Sequence, residues 1–284
     1  MIYLWIALAL ILLILLLFVM MIRSFKIKPE KHLKTPADHG IAFEEVRYPT
    51  KNGKQLYAWW VPDNSNAPTL ILVHGWGRSA GRLMPYIKNL YGKGFNLLAF
   101  DSRNHGESDE DDFSSMLKFA EDICAGIDFV IDEKQLKNQD IYLLGLSIGG
   151  AASIYSAAHD HRIKKVITIG APANPADVMA YQMKKKHIPK AFIWMLFEII
   201  QFRIGIRFKN LSAEKNIRQA IAQFLIIHGE KDRVVLLNQG EKLFRATKPE
   251  HAEFWVIPDA GHSNCHYKAG FWEKILGFLN EGND

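Results

Sequence analysis

Six short and almost uninterrupted apolar runs, with longer helical patterns between them, constrain the fold of this chain more than any other feature. The runs cover residues 69–75, 95–101, 141–147, 165–171, 224–230 and 254–260. Strands buried on both faces of a parallel sheet have this composition, and parallel strands need a crossover, usually a helix, between them. Helical patterns lie at 113–135, 148–159, 236–247 and 267–280. The sequence therefore predicts an α/β fold, with a mostly parallel central sheet flanked by helices.

A hairpin precedes these runs. Residues 43–50 and 55–61 have the composition of two strands, and Asn52-Gly53 between them is a strong hairpin turn signal. We therefore expect one domain over residues 43–284, which the chain enters through an antiparallel pair of strands.

The N-terminal segment differs from everything that follows it. No charged residue occurs from Ile2 to Ile22, and these 21 residues compare with about 20 that a helix needs to cross a bilayer core. A cleaved signal peptide would have a basic start, a shorter apolar stretch and a small-residue cleavage site. A buried core helix is the other alternative, but such a helix normally carries a polar face. The sequence predicts a single transmembrane anchor over residues 1–22.

Basic residues follow the predicted anchor and indicate its orientation. These basic residues are Arg23, Lys26, Lys28, Lys31 and Lys34. Prolines lie between them, which is typical of an extended and solvated juxtamembrane linker, here predicted over residues 23–42. By the positive-inside rule, this asymmetry places the linker and the domain on the cytoplasmic side. The reverse orientation, in which the anchor exports the domain, is the alternative. Two cysteines without metal-type spacing, and a net charge of only +5, predict neither a disulfide framework nor a metal site or nucleic-acid partner.

A serine framed by glycines ends the run 141–147. Gly145, Ser147 and Gly149 form the pattern G-x-S-x-G after an apolar strand and before a helix. This nucleophile elbow needs a sharp turn that exposes the serine hydroxyl, and the glycines let strand and helix approach each other closely. The helix that follows directs its N-terminal amides toward an oxyanion formed there.

A phosphate-binding turn for a dinucleotide is the alternative interpretation of these glycines. The G-x-G-x-x-G pattern is not matched, because Ser147 occupies the position of the second glycine. The next strand also ends at Gly170, where a dinucleotide site needs an acidic residue. The serine interpretation is therefore favoured.

A serine nucleophile needs a base, and the base needs an acid that orients it. Asp232 follows the run 224–230 and His262 follows the run 254–260, so both lie at carboxyl ends of predicted strands, where α/β sheets place their ligand sites. Asp259 and Glu230 are alternative acids close to the same loops.

Five motifs in register resemble the α/β-hydrolase superfamily over nearly all of the chain from Phe43 onward. They are His74-Gly75-Trp76-Gly77, Asp101-Ser102-Arg103-Asn104-His105-Gly106-Glu107-Ser108, the elbow at Ser147, the Asp232 loop and the His262 loop. Within the superfamily, the chain resembles the serine aminopeptidase S33-type and Bem46-like branch, whose members often carry an N-terminal anchor.

The resemblance implies a role for each matching residue. Ser147 would be the nucleophile, His262 the general base and Asp232 the acid that orients the base. The oxyanion hole would consist of the backbone N–H groups of Trp76 and Ile148. No cofactor is implied.

Other histidines and one cysteine have simpler explanations than catalysis or metal binding. His74 and His105 belong to loops in which such residues more often shape the backbone than transfer protons. The remaining candidates are expected to be surface, loop or packing residues: His159, His161, His266 and Cys265.

The longest stretch without a strand candidate is predicted to form a helical cap at about 174–220. Its segment 188–208 is apolar on nearly all sides. Two interpretations are open. In the first, the inner face of this segment, with Trp194 and Phe197, forms an acyl pocket above Ser147. The outer face would then lie on the bilayer, with Lys184–Lys186 near the head groups. In the second, the helix simply packs onto the sheet.

The sequence thus predicts a membrane-anchored serine hydrolase that cleaves carboxylic esters with a medium or long acyl chain. A thioesterase or a serine peptidase would use the same residues, so the sequence does not separate ester, thioester and amide substrates. A receptor or scaffold that keeps the fold without catalysis is the alternative from another class.

Overall fold

One eight-stranded sheet forms the centre of the part of the chain that the computed structural model describes, residues 3–6, 8, 12, 19, 27–29, 31–136 and 140–281. Its strand order is β1-β2-β4-β3-β5-β6-β7-β8. The strands are β1 (Glu44–Pro49), β2 (Gln55–Val61), β3 (Thr69–Val73), β4 (Asn96–Phe100), β5 (Ile141–Leu146), β6 (Ile163–Ile169), β7 (Gln223–Gly229) and β8 (Ala252–Ile257).

The pairing of the strands confirms the predicted sheet. β1 pairs with β2 and β2 with β4 in antiparallel fashion, and every other neighbouring pair is parallel. Asn52 and Gly53 in the hairpin both adopt positive φ, of 60° and 66°, which explains this residue pair at the turn. Every residue of β3, β4 and β5 is buried, as expected for strands covered by helices on both faces.

Helices cover both faces of the sheet. They are α1 (Met84–Leu90), α2 (Met116–Asp132), α3 (Ile148–His159), α4 (Pro175–Lys185), α5 (Lys190–Ile204), α6 (Phe208–Leu211), α7 (Ala213–Ile217), α8 (Leu237–Ala246) and α9 (Phe271–Asn280). Side chains of α2, α3 and α8 pack into one hydrophobic cluster, and those of α1 and α9 pack into a second cluster. The result is a three-layer arrangement with the sheet in the middle.

Helix boundaries depart from the sequence predictions where local hydrogen bonds decide them. α2 begins at Met116 because the Ser115 hydroxyl accepts the backbone N–H of Lys118 at 3.2 Å. α9 begins only at Phe271, because Gly270 adopts a φ of +75° and a separate 3-10 turn covers Cys265–Tyr267. The short helix α1 was not predicted.

Four helices, α4 to α7, occupy the chain between β6 and β7, where no strand was predicted. The helix α5, which the sequence predicts to be apolar on nearly all sides, lies with its two sides in different environments. Ile193 and Leu196 are buried with Met183 of α4 in a small cluster. Trp194 and Phe202, by contrast, are 67% and 91% exposed. α5 therefore has one packed face and one exposed apolar face.

The segment predicted as a solvated linker, residues 23–42, is docked on the domain in its second half. The His32 ring lies 5.6 Å from the ring of Tyr57 and 4.6 Å from that of Trp59, and Ile41 is buried in the core. Nε2 of His32 also hydrogen-bonds the carboxylate of Asp101 at 2.8 Å. The prediction of a solvated linker is therefore wrong for this half, because aromatic packing and a buried polar contact hold it in place.

Most of the predicted membrane anchor, residues 1–22, lies outside the described residues. Among the residues that are described, no helix combines the length and the apolar character needed to cross a membrane. The anchor stays a prediction from the sequence.

Candidate active site

Ser147 lies at the sharp turn between β5 and α3. Its φ of 53° and ψ of −119° are an unusual conformation for a residue with a side chain, and such strain costs about 1–3 kcal/mol. The backbone holds this conformation from both sides, since the Ser147 N–H donates to the Ile169 carbonyl at 2.9 Å and its carbonyl accepts from Gly150 N–H at 2.9 Å. The turn places the hydroxyl-bearing residue at the carboxyl edge of the sheet.

The glycines around Ser147 are required by close backbone contacts. A Cβ on Gly145 would lie 2.5 Å from the carbonyl oxygen of Gly149, and one on Gly149 would lie 2.4 Å from that of His74. A Cβ on Gly150 would lie 2.9 Å from the carbonyl oxygen of Gly145. Non-bonded carbon and oxygen atoms do not approach this closely, so strand and helix pack here only because side chains are absent.

Gly149→Ala should therefore destabilise the protein by about 3 kcal/mol, because backbone carbonyls cannot move aside as a flexible side chain can. The matched control is Gly277→Ala in α9, where a new Cβ would meet nothing within 4 Å. That control should be neutral or stabilising by up to about 1 kcal/mol. Urea denaturation measures both changes, and equal effects of the two substitutions would contradict the packing explanation.

The loop after β7 presents a carboxylate to the loop after β8. Nδ1 of His262 lies 2.7 Å from Oδ2 of Asp232, whose side chain is fully buried. The other oxygen of Asp232 accepts the backbone N–H groups of Val234 and Val235 at 2.8 and 2.9 Å. Asp232 is thus held by its own turn, and it accepts the Nδ1–H of His262.

His228 supports this arrangement and was not singled out from the sequence. Its ring is buried, and Nε2 donates to the carbonyl of Val235 at 2.9 Å while lying 3.6 Å from Oδ2 of Asp232. Burial lowers the pKa of His228, so the ring is neutral at pH 7. The sequence signal was a histidine inside the apolar run that ends just before Asp232.

Gly170 brings the pair His262–Asp232 next to the strand end that holds Ser147. Gly170 directly follows Ile169, whose carbonyl accepts the N–H of Ser147. Gly170 itself adopts a φ of +62°. A Cβ on Gly170 would lie 3.1 Å from Nδ1 of His262 and 3.3 Å from Oδ2 of Asp232. The imidazole of His262 and the residue Ser147 therefore lie at the same edge of the sheet, with Gly170 at the end of β6 between them.

Two backbone N–H groups near Ser147 are suited to bind an oxyanion. In the described part of the chain, the N–H groups of Trp76 and Ile148 form no hydrogen bond. Ile148 begins α3, and Trp76 follows Gly75, on which a Cβ would lie 3.5 Å from that of Ser147. Both N–H groups therefore lie in elements that adjoin Ser147.

His74 and His105 hold the loop of residues 74–79, called here the Trp76 loop. Nδ1 of His74 donates to the Gly75 carbonyl and its Nε2 accepts the N–H of Ser102. Nδ1 of His105 donates to the Arg103 carbonyl and its Nε2 accepts the N–H of Gly77. Burial lowers the pKa of both, that of His105 to about 3. With both nitrogens occupied, these neutral rings shape backbone, as the sequence interpretation proposed.

Asp259 and Glu230, the alternatives to Asp232 as the acid that orients His262, have other partners. Asp259 is at the surface, where its carboxylate pairs with Nζ of Lys231 at 2.5 Å. Glu230 accepts the backbone N–H of Asp259 at 3.0 Å. The carboxylate that hydrogen-bonds His262 is that of Asp232.

The two cap residues predicted to line an acyl pocket lie in different places. Phe197 packs against the buried cluster of the cap and meets the ring of Phe208 edge-on at 5.1 Å. Trp194, three residues earlier on the same helix, is largely exposed. The two side chains therefore differ in burial, and a role of either in an acyl pocket stays a prediction.

The amino-acid sequence is similar to one family model and to several known proteins. Residues 68–196 match the family model Abhydrolase_1, described as the alpha/beta hydrolase fold. The uncharacterized protein YfhR of Escherichia coli K12 is 29% identical over 256 residues, which are 84% of this chain and 83% of YfhR. The uncharacterized membrane protein YNL320W of Saccharomyces cerevisiae is 22% identical over 252 residues, which are 88% of this chain and 84% of that protein.

A solved structure gives the same result for the fold. The esterase Pf2001 of Pyrococcus furiosus superposes with a TM-score of 0.74 at 23% identity, and the match covers 89% of this chain and 98% of the esterase. The chain therefore has the α/β-hydrolase fold, and its residues 68–196 match the family model that is described by this fold. The finer resemblance to the S33-type and Bem46-like branch stays a prediction.

Proposed function

We propose that this chain is a serine hydrolase that cleaves carboxylic esters through an acyl-enzyme, with Ser147, His262 and Asp232 as its catalytic residues. The observation that carries the proposal is the hydrogen bond between Asp232 and His262 at the sheet edge where Ser147 is held in a strained turn. A buried carboxylate on Nδ1 of a histidine, together with a serine at the same edge of the sheet, is the arrangement that nucleophilic acyl transfer needs.

The hydrogen bond to Asp232 selects the tautomer of the base. Because the carboxylate accepts the proton on Nδ1 of His262, the lone pair of neutral imidazole is on Nε2. Nε2 can then accept the hydroxyl proton of Ser147 as the serine oxygen bonds to the substrate carbonyl. Asp232 also stabilises the imidazolium that results.

The oxyanion is the other charge that develops in this step. The N–H groups of Trp76 and Ile148 form no hydrogen bond within the described residues, so they need not break one to bind the oxyanion. One such donor contributes about 2.7–4 kcal/mol in serine hydrolases where it has been removed. Collapse of the tetrahedral intermediate passes the proton from His262 to the leaving alcohol, and water then releases the acid by the reverse sequence.

Thioesters and amides would be cleaved by the same residues, so the substrate class needs a direct comparison. We expect an oxygen ester to have a higher kcat/KM than a thioester or an amide with the same acyl group. A higher value for the thioester or the amide would favour a thioesterase or a peptidase. Absence of turnover for all three, together with absence of labelling at Ser147 by a fluorophosphonate, would favour a non-catalytic scaffold.

The cap is proposed to contribute to acyl selectivity through its packed face alone. We expect Phe197→Ala to change the ratio of kcat/KM between long and short acyl esters by about tenfold. The space left by this partly buried ring can take up part of a longer acyl chain, and burial of one to two more methylene groups contributes about that factor. Trp194→Ala, on the exposed face of the same helix, is the matched control and should change this ratio less than twofold. Loss of stability in Phe197→Ala without any change in the ratio would favour simple packing.

We further propose that residues 1–22 anchor the protein in a membrane, with the domain on the cytoplasmic side. The support is the uncharged apolar segment and the basic residues that follow it. The exposed apolar face of α5, with Trp194 and Phe202, lies in the same cap as Lys184–Lys186, so it is suited to an anionic bilayer surface.

The orientation can be measured with a reporter that is active only outside the cytoplasm. Fused after Asp284, it should give little signal, because the five basic residues between 23 and 34 favour retention on the cytoplasmic side. Replacing these five residues by glutamine should raise the signal. A strong signal from the unmodified chain would show the opposite orientation.

A further inference from the structure

A cavity of ≈ 360 Å³ with a strongly basic lining lies beside the Trp76 loop. Two separate parts of the chain contribute cations to it, and a third part contributes the neutral ring of His105. Arg78, Ser79 and Arg82 come from the Trp76 loop and the turn after it, His105 comes from the loop after β4, and Lys28 comes from the docked N-terminal segment. None of the described residues that line the cavity is acidic. Its lining therefore carries three positive charges without a carboxylate to balance them.

The nearest acidic side chains are engaged elsewhere. Both oxygens of Asp101 are used, one by the N–H of Ala80 at 2.7 Å and the other by His32 and the N–H of Glu107, each at 2.8 Å. The carboxylate of Glu107 accepts the backbone N–H of His32 at 3.3 Å. These contacts hold the loops that form the cavity, and within the described residues neither carboxylate forms an ion pair with the lysine or the arginines of the lining.

The lining of the cavity is linked to the candidate active site by sequence and by one hydrogen bond. Gly77, in its lining, directly follows the oxyanion donor Trp76. Nη2 of Arg82 donates to the carbonyl of Ser263 at 2.6 Å, and Ser263 directly follows His262. Both links connect the cavity lining to residues next to the proposed oxyanion donor and the proposed base.

The cavity is also close to the predicted membrane anchor. Lys28 lies six residues after Ile22, the last residue of the apolar segment. Six residues span at most about 20–22 Å when fully extended. With residues 1–22 as the proposed anchor, Lys28 lies at most this far from the end of the membrane segment.

We propose that this cavity binds a phosphate group of the substrate, so that the ester cleaved at Ser147 belongs to a phosphate-bearing acyl ester such as an acyl glycerophosphate. The inference rests on the proposed serine hydrolase function and adds the substrate class. Arginine forms paired hydrogen bonds with phosphate oxygens, and three cations match a phosphate dianion better than a single carboxylate. The phosphate is bound and not transferred; only the carboxylic ester bond breaks.

Binding can be measured without catalysis. The full chain carrying Ser147→Ala, in detergent micelles, is titrated calorimetrically with glycerol 3-phosphate and with glycerol. We expect binding of the phosphate compound alone, weakened at least tenfold by the double substitution Lys28→Gln and Arg78→Gln. The control Lys93→Gln with Arg245→Gln removes the same two charges from exposed sites outside the cavity lining. Equal loss in both variants, or no binding at all, would overturn the proposal.

Selectivity tests the same cavity during turnover. Two esters with the same acyl chain are compared, an acylglycerol and its phosphate. The unsubstituted chain should prefer the phosphate at least tenfold in kcat/KM, mainly through a lower KM. The cavity variant, with Lys28→Gln and Arg78→Gln, should lose this preference. The control variant, with Lys93→Gln and Arg245→Gln, should keep it. Turnover of both esters without preference would overturn the cavity proposal alone. Turnover that survives Ser147→Ala would overturn the serine hydrolase function instead.

A lipid head group is the other source of the same phosphate chemistry. The full chain is reconstituted in phosphatidylcholine vesicles with and without phosphatidylglycerol, and hydrolysis of the neutral acylglycerol is followed. We expect little effect of the anionic lipid. Strong inhibition that disappears in the cavity variant would show that a membrane lipid occupies the cavity, which would overturn its assignment to the substrate.

Discussion

Ser147→Ala should lower turnover of an acyl ester at least about a thousandfold, because no other group in the proposed mechanism can form the acyl-enzyme. The fold should be retained, since alanine can occupy the same turn and the backbone hydrogen bonds of Ser147 to Ile169 and Gly150 do not involve the hydroxyl. Stopped assays with chromogenic acyl esters measure the loss. Circular dichroism and urea denaturation check that the variant is folded.

Ser156→Ala is the matched control for this experiment. Ser156 is buried in the same helix α3, where its hydroxyl hydrogen-bonds the carbonyl of Ala120 at 3.4 Å. This control should keep its turnover and its labelling by a fluorophosphonate, whereas Ser147→Ala should lose both. Near-native turnover in a folded Ser147→Ala protein would refute the assignment of the nucleophile.

Asp232→Asn should have the next largest effect, a loss of kcat of about a thousandfold to ten-thousandfold. The side-chain oxygen of asparagine can still accept the N–H groups of Val234 and Val235, so the turn is kept. The amide nitrogen then faces Nδ1 of His262 and donates to it. The proton of the imidazole moves to Nε2, which can no longer take the proton of Ser147.

Asp259→Asn provides the control for that substitution. Asp259 lies three residues before His262 in the sequence, but its carboxylate pairs with Lys231 at the surface. We expect this variant to retain at least half of the kcat, since exposed ion pairs contribute little and His262 keeps its own partner. If Asp259→Asn were the more damaging of the two substitutions, the acid would be wrongly assigned.

The strands and the candidate residues at their ends were predictable because each depends on short-range chemistry. A strand buried on both faces must be apolar along its whole length, so β3, β4 and β5 were visible in the sequence. The glycines around Ser147 mark contacts in which no Cβ fits. Asp232 and His262 follow strands, and the structure brings them together at the expected edge of the sheet, while their catalytic roles stay predictions.

The faces of α5 and the path of the linker were not predictable in this way. An apolar helix can bury any of its sides, and only contact with Met183 decides that Ile193 and Leu196 are buried while Trp194 is exposed. His32 has a polar neighbourhood in sequence, and its partner Asp101 lies 69 residues away. Such long-range contacts leave no periodic pattern in the chain.

The amino-acid sequence by itself determined the α/β class, the mostly parallel sheet and the sharp turn at Ser147, because burial and backbone sterics act on neighbouring residues. Only the tertiary structure decided which cations share a cavity. Lys28, Arg78 and Arg82 carry no common motif, and they meet because the N-terminal segment docks beside the Trp76 loop. Charge separated along the chain becomes a site only when packing brings it together.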